Sequence, residues 1–127
     1  MVSMEQPATE EAIHRGRAAV LADLTADGAA GPEEVSLLEQ AVSHRRWWSE
    51  QWPAGAVFVP GLLAQDIQDA LLETRGRWPL CPVCAGVEDR EPHALDVEPE
   101  LGEDPQWVCP VTGVAVAPVG RLAEARR

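Results

Sequence analysis

The sequence has no lysine, no tyrosine and a single phenylalanine, Phe58, among its 127 residues. All ten basic residues are therefore arginines, and they stand against 21 acidic residues, which gives a formal charge of −11. A surface with this excess of negative charge repels phosphate backbones and acidic membranes. The composition therefore disfavours direct contact with nucleic acid and favours a basic protein as a partner.

Long apolar segments are absent as well. No run approaches the about 18 apolar residues that a membrane span needs, and the first residues are neither basic nor apolar enough for a signal peptide. The three cysteines, two of them in a Cys-x-x-Cys, do not form the pattern of a secreted disulfide framework. We therefore expect a cytoplasmic protein that does not enter the membrane.

Helical patterns dominate residues 1–77, which we predict to be a mainly helical domain with one short strand. Apolar residues recur at helical spacing over residues 13–24, and an Asp-Gly stop follows them. Second and third helices are predicted over residues 32–52 and from about 62 to 75, the second with proline at its first position. Residues 56–59, Ala-Val-Phe-Val, are apolar and rich in β-branched side chains, which predicts one buried strand.

A different pattern begins near residue 78, where helical periodicity disappears. Short strand candidates lie at residues 93–97, 106–109 and 113–117, separated by segments rich in turn-forming residues. We predict a second domain over residues 78–127, a small antiparallel β module followed by a C-terminal tail. The predicted fold class is therefore α+β.

Two short cysteine motifs carry the strongest chemical signal. The first is Cys81-Pro82-Val83-Cys84, and the second is Cys109-Pro110-Val111-Thr112-Gly113. Two thiolates at Cys-x-x-Cys spacing can bind one metal, because the intervening turn brings both sulfurs to the same side. A similar turn facing the first would complete a tetrahedral site.

These motifs resemble the zinc-ribbon (rubredoxin-like zinc-knuckle) family, over about residues 78–120. The resemblance implies one zinc ion and a small antiparallel sheet, but no single function, because such ribbons serve many. The second motif departs from the family at Thr112, where the family has its fourth cysteine. A hydroxyl is a poor zinc ligand beside thiolates, so the fourth donor has to come from elsewhere.

His93 is the only histidine in this part of the chain, and we predict it as the fourth ligand beside Cys81, Cys84 and Cys109. Two alternatives are a ribbon that has lost its metal and packs three buried cysteines, and a redox-active Cys-x-x-Cys. The redox reading lacks the βαβ context of thioredoxin-like proteins. We expect a structural zinc rather than a catalytic one, because three thiolates make the metal a weak Lewis acid. No motif of a known enzyme class is found.

A tryptophan cluster follows two arginines near the end of the second predicted helix. Trp48 and Trp52 are four residues apart on its apolar face, which favours a place in the core. Trp47 points elsewhere, and with Arg46 it is our candidate for binding a partner, since both residue types are enriched at interface hot spots.

Acidic residues are concentrated between residues 88 and 104. They are Glu88, Asp89, Glu91, Asp96, Glu98, Glu100, Glu103 and Asp104, with Arg90 as the one basic residue among them. This segment is either a solvated loop or an acidic surface that contacts a basic partner. We predict a zinc-stabilised, acidic protein–protein interaction module, with an adaptor or regulatory role. The alternative is a nucleic-acid-associated zinc ribbon acting in transcription or translation.

Overall fold

A computed structural model describes residues 5–87 and 91–126 of the chain. Its helices are α1 (Glu5–Ala26), α2 (Pro32–Gln51), a 3₁₀ helix (Pro53–Phe58), α3 (Val59–Thr74) and the short α4 (Leu122–Ala125). The strands are β1 (Asp96–Glu98), β2 (Gln106–Val108) and β3 (Ala115–Pro118). Three helices followed by a small sheet confirm the predicted α+β class. Among the described residues, no helix combines the length and the apolar character that crossing a membrane requires.

The strands form one antiparallel sheet in the order β1-β2-β3. Val97 lies opposite Trp107, and Trp107 lies opposite Ala117. These three residues are buried and share the face of the sheet that packs on the helices. The three strand candidates of the sequence are thus confirmed, with bounds that differ by at most three residues.

The predicted strand at residues 56–59 is wrong, because this segment is helical. Ala56 ends up inside the 3₁₀ helix, and Val59 is the first residue of α3. Ala56, Val59 and Leu63 are buried while Val57 is exposed, so burial recurs every three to four residues instead of every two. Four consecutive apolar residues cannot distinguish these two periods.

The place predicted for Trp52 in the core is also wrong. The last residue of α2 is Gln51, and the cap residue Trp52 has left the helical conformation, with φ −140° and ψ 80°. Its N–H still donates to the Trp48 carbonyl at 3.1 Å, but its side chain is 46% exposed. Its ring meets the half-buried Trp48 edge-on, with the two centroids 5.3 Å apart.

One set of buried side chains extends from the helices into the sheet. Ile13 and Leu24 of α1, Leu63 and Leu71 of α3, and Trp107 of β2 belong to the same core. At its centre the Trp107 indole N–H donates to Asp23 of α1 at 2.8 Å. The division at residue 77 stays a prediction, and the two parts are in close contact.

Candidate metal centre

Four side chains with metal-ligating atoms converge beside the sheet. Cys81 and Cys84 lie in the turn that follows Trp78, His93 lies before β1, and Cys109 directly follows β2. Their three sulfurs and one ring nitrogen all lie within 4.8 Å of one another. The cysteines are buried and the imidazole is half-buried. The structure thus brings together the four residues that the sequence singles out.

Two distances within this cluster match those of a tetrahedral zinc site. The sulfurs of Cys84 and Cys109 are 3.7 Å apart, and the Cys109 sulfur is 3.7 Å from Nε2 of His93. With ordinary zinc–ligand bond lengths, a regular tetrahedron separates two sulfurs by about 3.8 Å and a sulfur from a nitrogen by about 3.6 Å. A disulfide would need about 2.05 Å, and no disulfide joins these three cysteines. The residues therefore fit a single zinc ion.

Backbone pairing holds His93 beside the first cysteine turn. The N–H of Cys81 donates to the His93 carbonyl at 2.9 Å, and the N–H of Leu95 donates to the Pro79 carbonyl at 2.8 Å. These bonds make Leu80 and Ala94 an antiparallel bridge outside the main sheet. This bridge explains why a histidine nine positions after Cys84 can reach the cysteines.

The hydrogen bond at Nδ1 of His93 determines which of the two ring nitrogens can bind a metal. Nδ1 lies 3.3 Å from the carbonyl oxygen of Glu91, an acceptor, so Nδ1 carries the proton. Nε2 then has a free lone pair on the side of Cys109. A hydrogen bond of this kind to the remote nitrogen is typical of metal-binding histidines, and it fixes both the tautomer and the ring orientation.

Thr112 donates to a cysteine and is not itself a ligand of the cluster. Its backbone N–H points at the Cys109 sulfur at 3.4 Å, and its hydroxyl helps to lower the pKa of that thiol. The hydroxyl oxygen in turn accepts the N–H of Val114 at 3.2 Å. Gly113, with φ 77°, makes this turn possible, because side chains larger than hydrogen disfavour that backbone angle.

The electrostatics of the cluster favour a thiolate at Cys109. The Thr112 hydroxyl and the Thr112 N–H lower the pKa of the Cys109 thiol to about 5, against the opposite effect of burial. At Cys81, burial raises the pKa of the thiol although the N–H groups of Cys84 and Val83 oppose the rise. A bound cation would supply the positive charge that Cys81 lacks.

The two residues predicted to bind a partner lie on α2 and do not contribute to the metal centre. Arg46 donates to the carboxylate of Glu10 at 2.8 and 3.4 Å, and this bond lowers the pKa of that carboxyl group. Trp47 is 57% exposed and stacks on His44 with 6.1 Å between ring centroids. A role in binding stays a prediction for both residues.

The described acidic residues between β1 and β2 and beside them are exposed to solvent. They are Glu91, Asp96, Glu98, Glu100, Glu103 and Asp104. Glu88, Asp89 and Arg90 lie outside the described residues.

Sequence reasoning missed two features of the centre: the hydrogen bonds from Thr112 and the carbonyl partner of His93. The only sequence signal for the role of Thr112 was that it stands where the zinc-ribbon motif has its fourth cysteine. The carbonyl partner of His93 leaves no signal in the sequence.

The chain belongs to the family described as Domain of unknown function (DUF8819), whose model matches residues 9–119. This match covers the helices and the sheet together, and it does not identify a zinc-ribbon family. The resemblance to zinc ribbons therefore rests on the two cysteine turns. Neither the curated proteins nor the solved structures contain a significant match to the chain.

Proposed function

We propose that this protein binds one structural zinc ion through Cys81, Cys84, His93 and Cys109, and that the folded chain is a protein–protein interaction module. The observation that carries the proposal is the convergence of three sulfurs and an imidazole nitrogen within 4.8 Å. Zinc is the metal of choice for this donor set. Thiolates and imidazole suit zinc in tetrahedral geometry, whereas calcium and magnesium require oxygen ligands.

The arrangement supports a structural role for the metal. Four protein donors occupy every corner of a tetrahedron, so no position is left for a substrate or a reactive water. The strands are only three or four residues long, and sheets of this size have little core of their own. A zinc ion would join three separate segments around them: the first cysteine turn, the segment before β1 and the turn after β2.

The surface supports a basic protein as the partner. The carboxylates near β1 and β2 are exposed, and the chain carries a formal charge of −11. Opposite charge on a partner speeds association and excludes wrong partners. The exposed indole of Trp47 is the kind of side chain that anchors such contacts. The same charge opposes binding to a phosphate backbone, which disfavours the nucleic-acid alternative.

Native mass spectrometry of the tagged chain, purified gently from its own host, tests both parts of the proposal. We expect one zinc ion per chain and a co-purifying basic protein. A variant with Cys84→Ser and Cys109→Ser is expected to lose the metal. A wild-type chain without metal would refute the zinc site, whatever else is bound.

A pair of variants then tests the interaction surface. Trp47→Ala is expected to weaken binding of the co-purified partner about tenfold or more, as truncation of a hot-spot residue does. Leu72→Ala is the matched control, because Leu72 is equally exposed, at 59% against 57%, and lies on α3. Equal binding by both variants would show that Trp47 is not an anchor, and the absence of any bound protein would refute the interaction role.

A further inference from the structure

A cavity of about 420 Å³ lies where the end of α3, the segment before the first cysteine turn and the end of α4 meet. Its lining consists of Asp27, Arg75, Arg77, Trp78, Leu80 and Arg126. The metal-ligating residues do not line it. Its volume falls in the range of ordinary small-molecule sites.

The charge of this cavity is opposite to that of the protein. Three guanidinium groups and one carboxylate line it, which leaves two positive charges. The chain as a whole has 21 acidic and ten basic residues. Nearly a third of all basic residues therefore lie around one cavity. Anions would be attracted to this cavity and repelled by the rest of the protein surface.

One of the three arginines is already neutralised and held in place. Arg126 donates to both oxygens of Asp27, at 2.8 and 3.1 Å, and to the Leu80 carbonyl at 2.8 Å. The side chains of this pair are 23% and 17% exposed. Arg126 is therefore held in place on one side of the cavity, and its guanidinium is not available to another acceptor.

Within the described part of the chain, no carboxylate forms an ion pair with either of the other two arginines. Arg77 donates to a neutral acceptor, the Pro92 carbonyl, at 3.3 Å. Among residues 5–87 and 91–126, the Arg75 side chain has no acceptor, and its one hydrogen bond is from the backbone N–H to Leu71. Two guanidinium groups with free N–H donors are therefore available to a ligand.

The backbone between them brings both arginines to the same cavity. Gly76 has φ 102°, a conformation that glycine adopts without strain. A Cβ at this position would meet nothing within 4 Å, so glycine is needed here for its backbone angle and not for space. Beside the two arginines, Trp78 and Leu80 add apolar surface that can contact the carbon part of a ligand.

We infer that this cavity binds a small phosphate monoester, with Arg75 and Arg77 on the phosphoryl group and Trp78 and Leu80 beside the organic part. Guanidinium groups pair with phosphate oxygens through two parallel hydrogen bonds. A phosphate monoester carries about −1.5 to −2 charges at neutral pH, which matches the two positive charges of the lining. This inference does not depend on the metal centre or on a protein partner.

Titration of the full-length protein with phenyl phosphate, inorganic phosphate and benzoate tests the inference. Amide and arginine side-chain NMR signals report where each probe binds, at low ionic strength. We expect saturable binding of phenyl phosphate, with shifts at Arg75, Arg77 and Trp78. Inorganic phosphate is expected to bind more weakly because it lacks the apolar part, and benzoate because it carries one charge. Benzoate or inorganic phosphate binding as tightly as phenyl phosphate would overturn the assignment to a phosphate monoester.

Arginine-to-glutamine variants distinguish a specific binding site from non-specific electrostatic attraction of the anion to the protein. Arg75→Gln and Arg77→Gln are each expected to weaken binding of phenyl phosphate about tenfold, the effect of losing one charge-assisted contact. Arg15→Gln is the control, since Arg15 is equally exposed and lies outside the cavity. Thermal unfolding checks that all three variants fold alike. Equal weakening by Arg15→Gln, or no saturable binding to the wild type, would overturn the site.

Discussion

Thr112 is the residue at which the sequence departs from the zinc-ribbon pattern, and its hydrogen bonds give the departure a physical meaning. Replacing it by valine keeps the shape and removes the hydroxyl that lowers the pKa of the Cys109 thiol. We expect Thr112→Val to weaken zinc binding about ten- to a hundredfold, the usual effect of losing a partner of a metal ligand. Competition with a chromophoric chelator measures the affinity.

Thr112→Ser is the matched control for this prediction. Serine keeps the donor hydroxyl and the backbone N–H that points at the Cys109 sulfur, so near-wild-type affinity is expected. Val and Ser variants with equal affinity for zinc would show that the hydroxyl does not stabilise the thiolate.

Asp23 is the second residue on which much of the structure depends. It is fully buried, and its carboxylate accepts three hydrogen bonds: from the indole of Trp107 at 2.8 Å, from the Gly120 N–H at 2.7 Å and from the Leu122 N–H at 2.9 Å. Burial raises the pKa of this carboxyl group, and the three donors oppose the rise. One side chain of α1 thereby holds β2 and the start of α4.

Asp23→Asn is expected to lower the free energy of unfolding by about 2–4 kcal/mol. An amide nitrogen has to face at least one of three N–H donors, which leaves buried donors unpaired. Denaturant unfolding measures the loss. The control is Asp69→Asn on α3, an exposed carboxylate with no partner among the described residues, for which less than about 0.5 kcal/mol is expected. Equal effects of the two changes would contradict the role of Asp23.

The convergence of the three cysteines and His93 could be predicted from the sequence. The role of Asp23 could not. Cysteine spacing carries its chemistry locally, and His93 was the one histidine in its segment. An aspartate within a helical pattern looks the same whether it is in solvent or buried, and the donor Trp107 lies 84 positions away. Contacts at that separation leave no signal in a single sequence.

Among the secondary-structure elements, the long helices and the three strands could be predicted because stop signals separate them. Proline at the first position of α2 and the positive φ of Gly28 after α1 mark boundaries that the sequence displays. The 3₁₀ helix could not be predicted, because four apolar residues fit a buried strand equally well. Trp48 and Trp52 pack closely against Gly55 of the 3₁₀ helix, and this tertiary contact favours the helix over the strand.

The pairing of α1 with α3 depends on a glycine, Gly16. It is buried in the middle of α1, and a Cβ there would lie 2.9 Å from Cδ1 of Leu63 and 3.1 Å from Cα of Pro60. Gly16→Ala is therefore expected to destabilise the protein by about 1–3 kcal/mol, because it overpacks the helix contact. Thermal or denaturant unfolding measures the change.

Helix propensity predicts the opposite sign, which makes this test sharp. An alanine in an open helix interior would stabilise by about 1 kcal/mol relative to glycine. Ala18→Gly, at an exposed position of α1, measures that propensity in the same helix. A more stable Gly16→Ala variant would mean that α1 and α3 are not in close contact at this point.

At the scale of the whole molecule, the sheet and the helices share one core while the metal centre lies at its edge. Trp78 and Trp107 meet edge-on with 5.5 Å between ring centroids, and Trp107 packs among helix residues. The sheet residues thus have the helical surface as one support, and the proposed zinc ion would be a second. Whether the sheet stays folded after removal of the metal depends on which of these two contributes more to its stability.

Chelation of the zinc is expected to unfold residues 78–120 and to leave α1, α2 and α3 folded. The short strands keep too little apolar contact without the metal, whereas the three helices pack against one another. The helical part is expected to lose stability, because unfolding of this segment removes two of the three donors of Asp23, the Trp107 indole and the Gly120 N–H. Hydrogen exchange read by mass spectrometry resolves the two parts, and zinc added back, with magnesium as the control, restores protection. Protection of the strands that survives chelation would contradict the structural role of the metal, and simultaneous loss in all helices would contradict the division at residue 77.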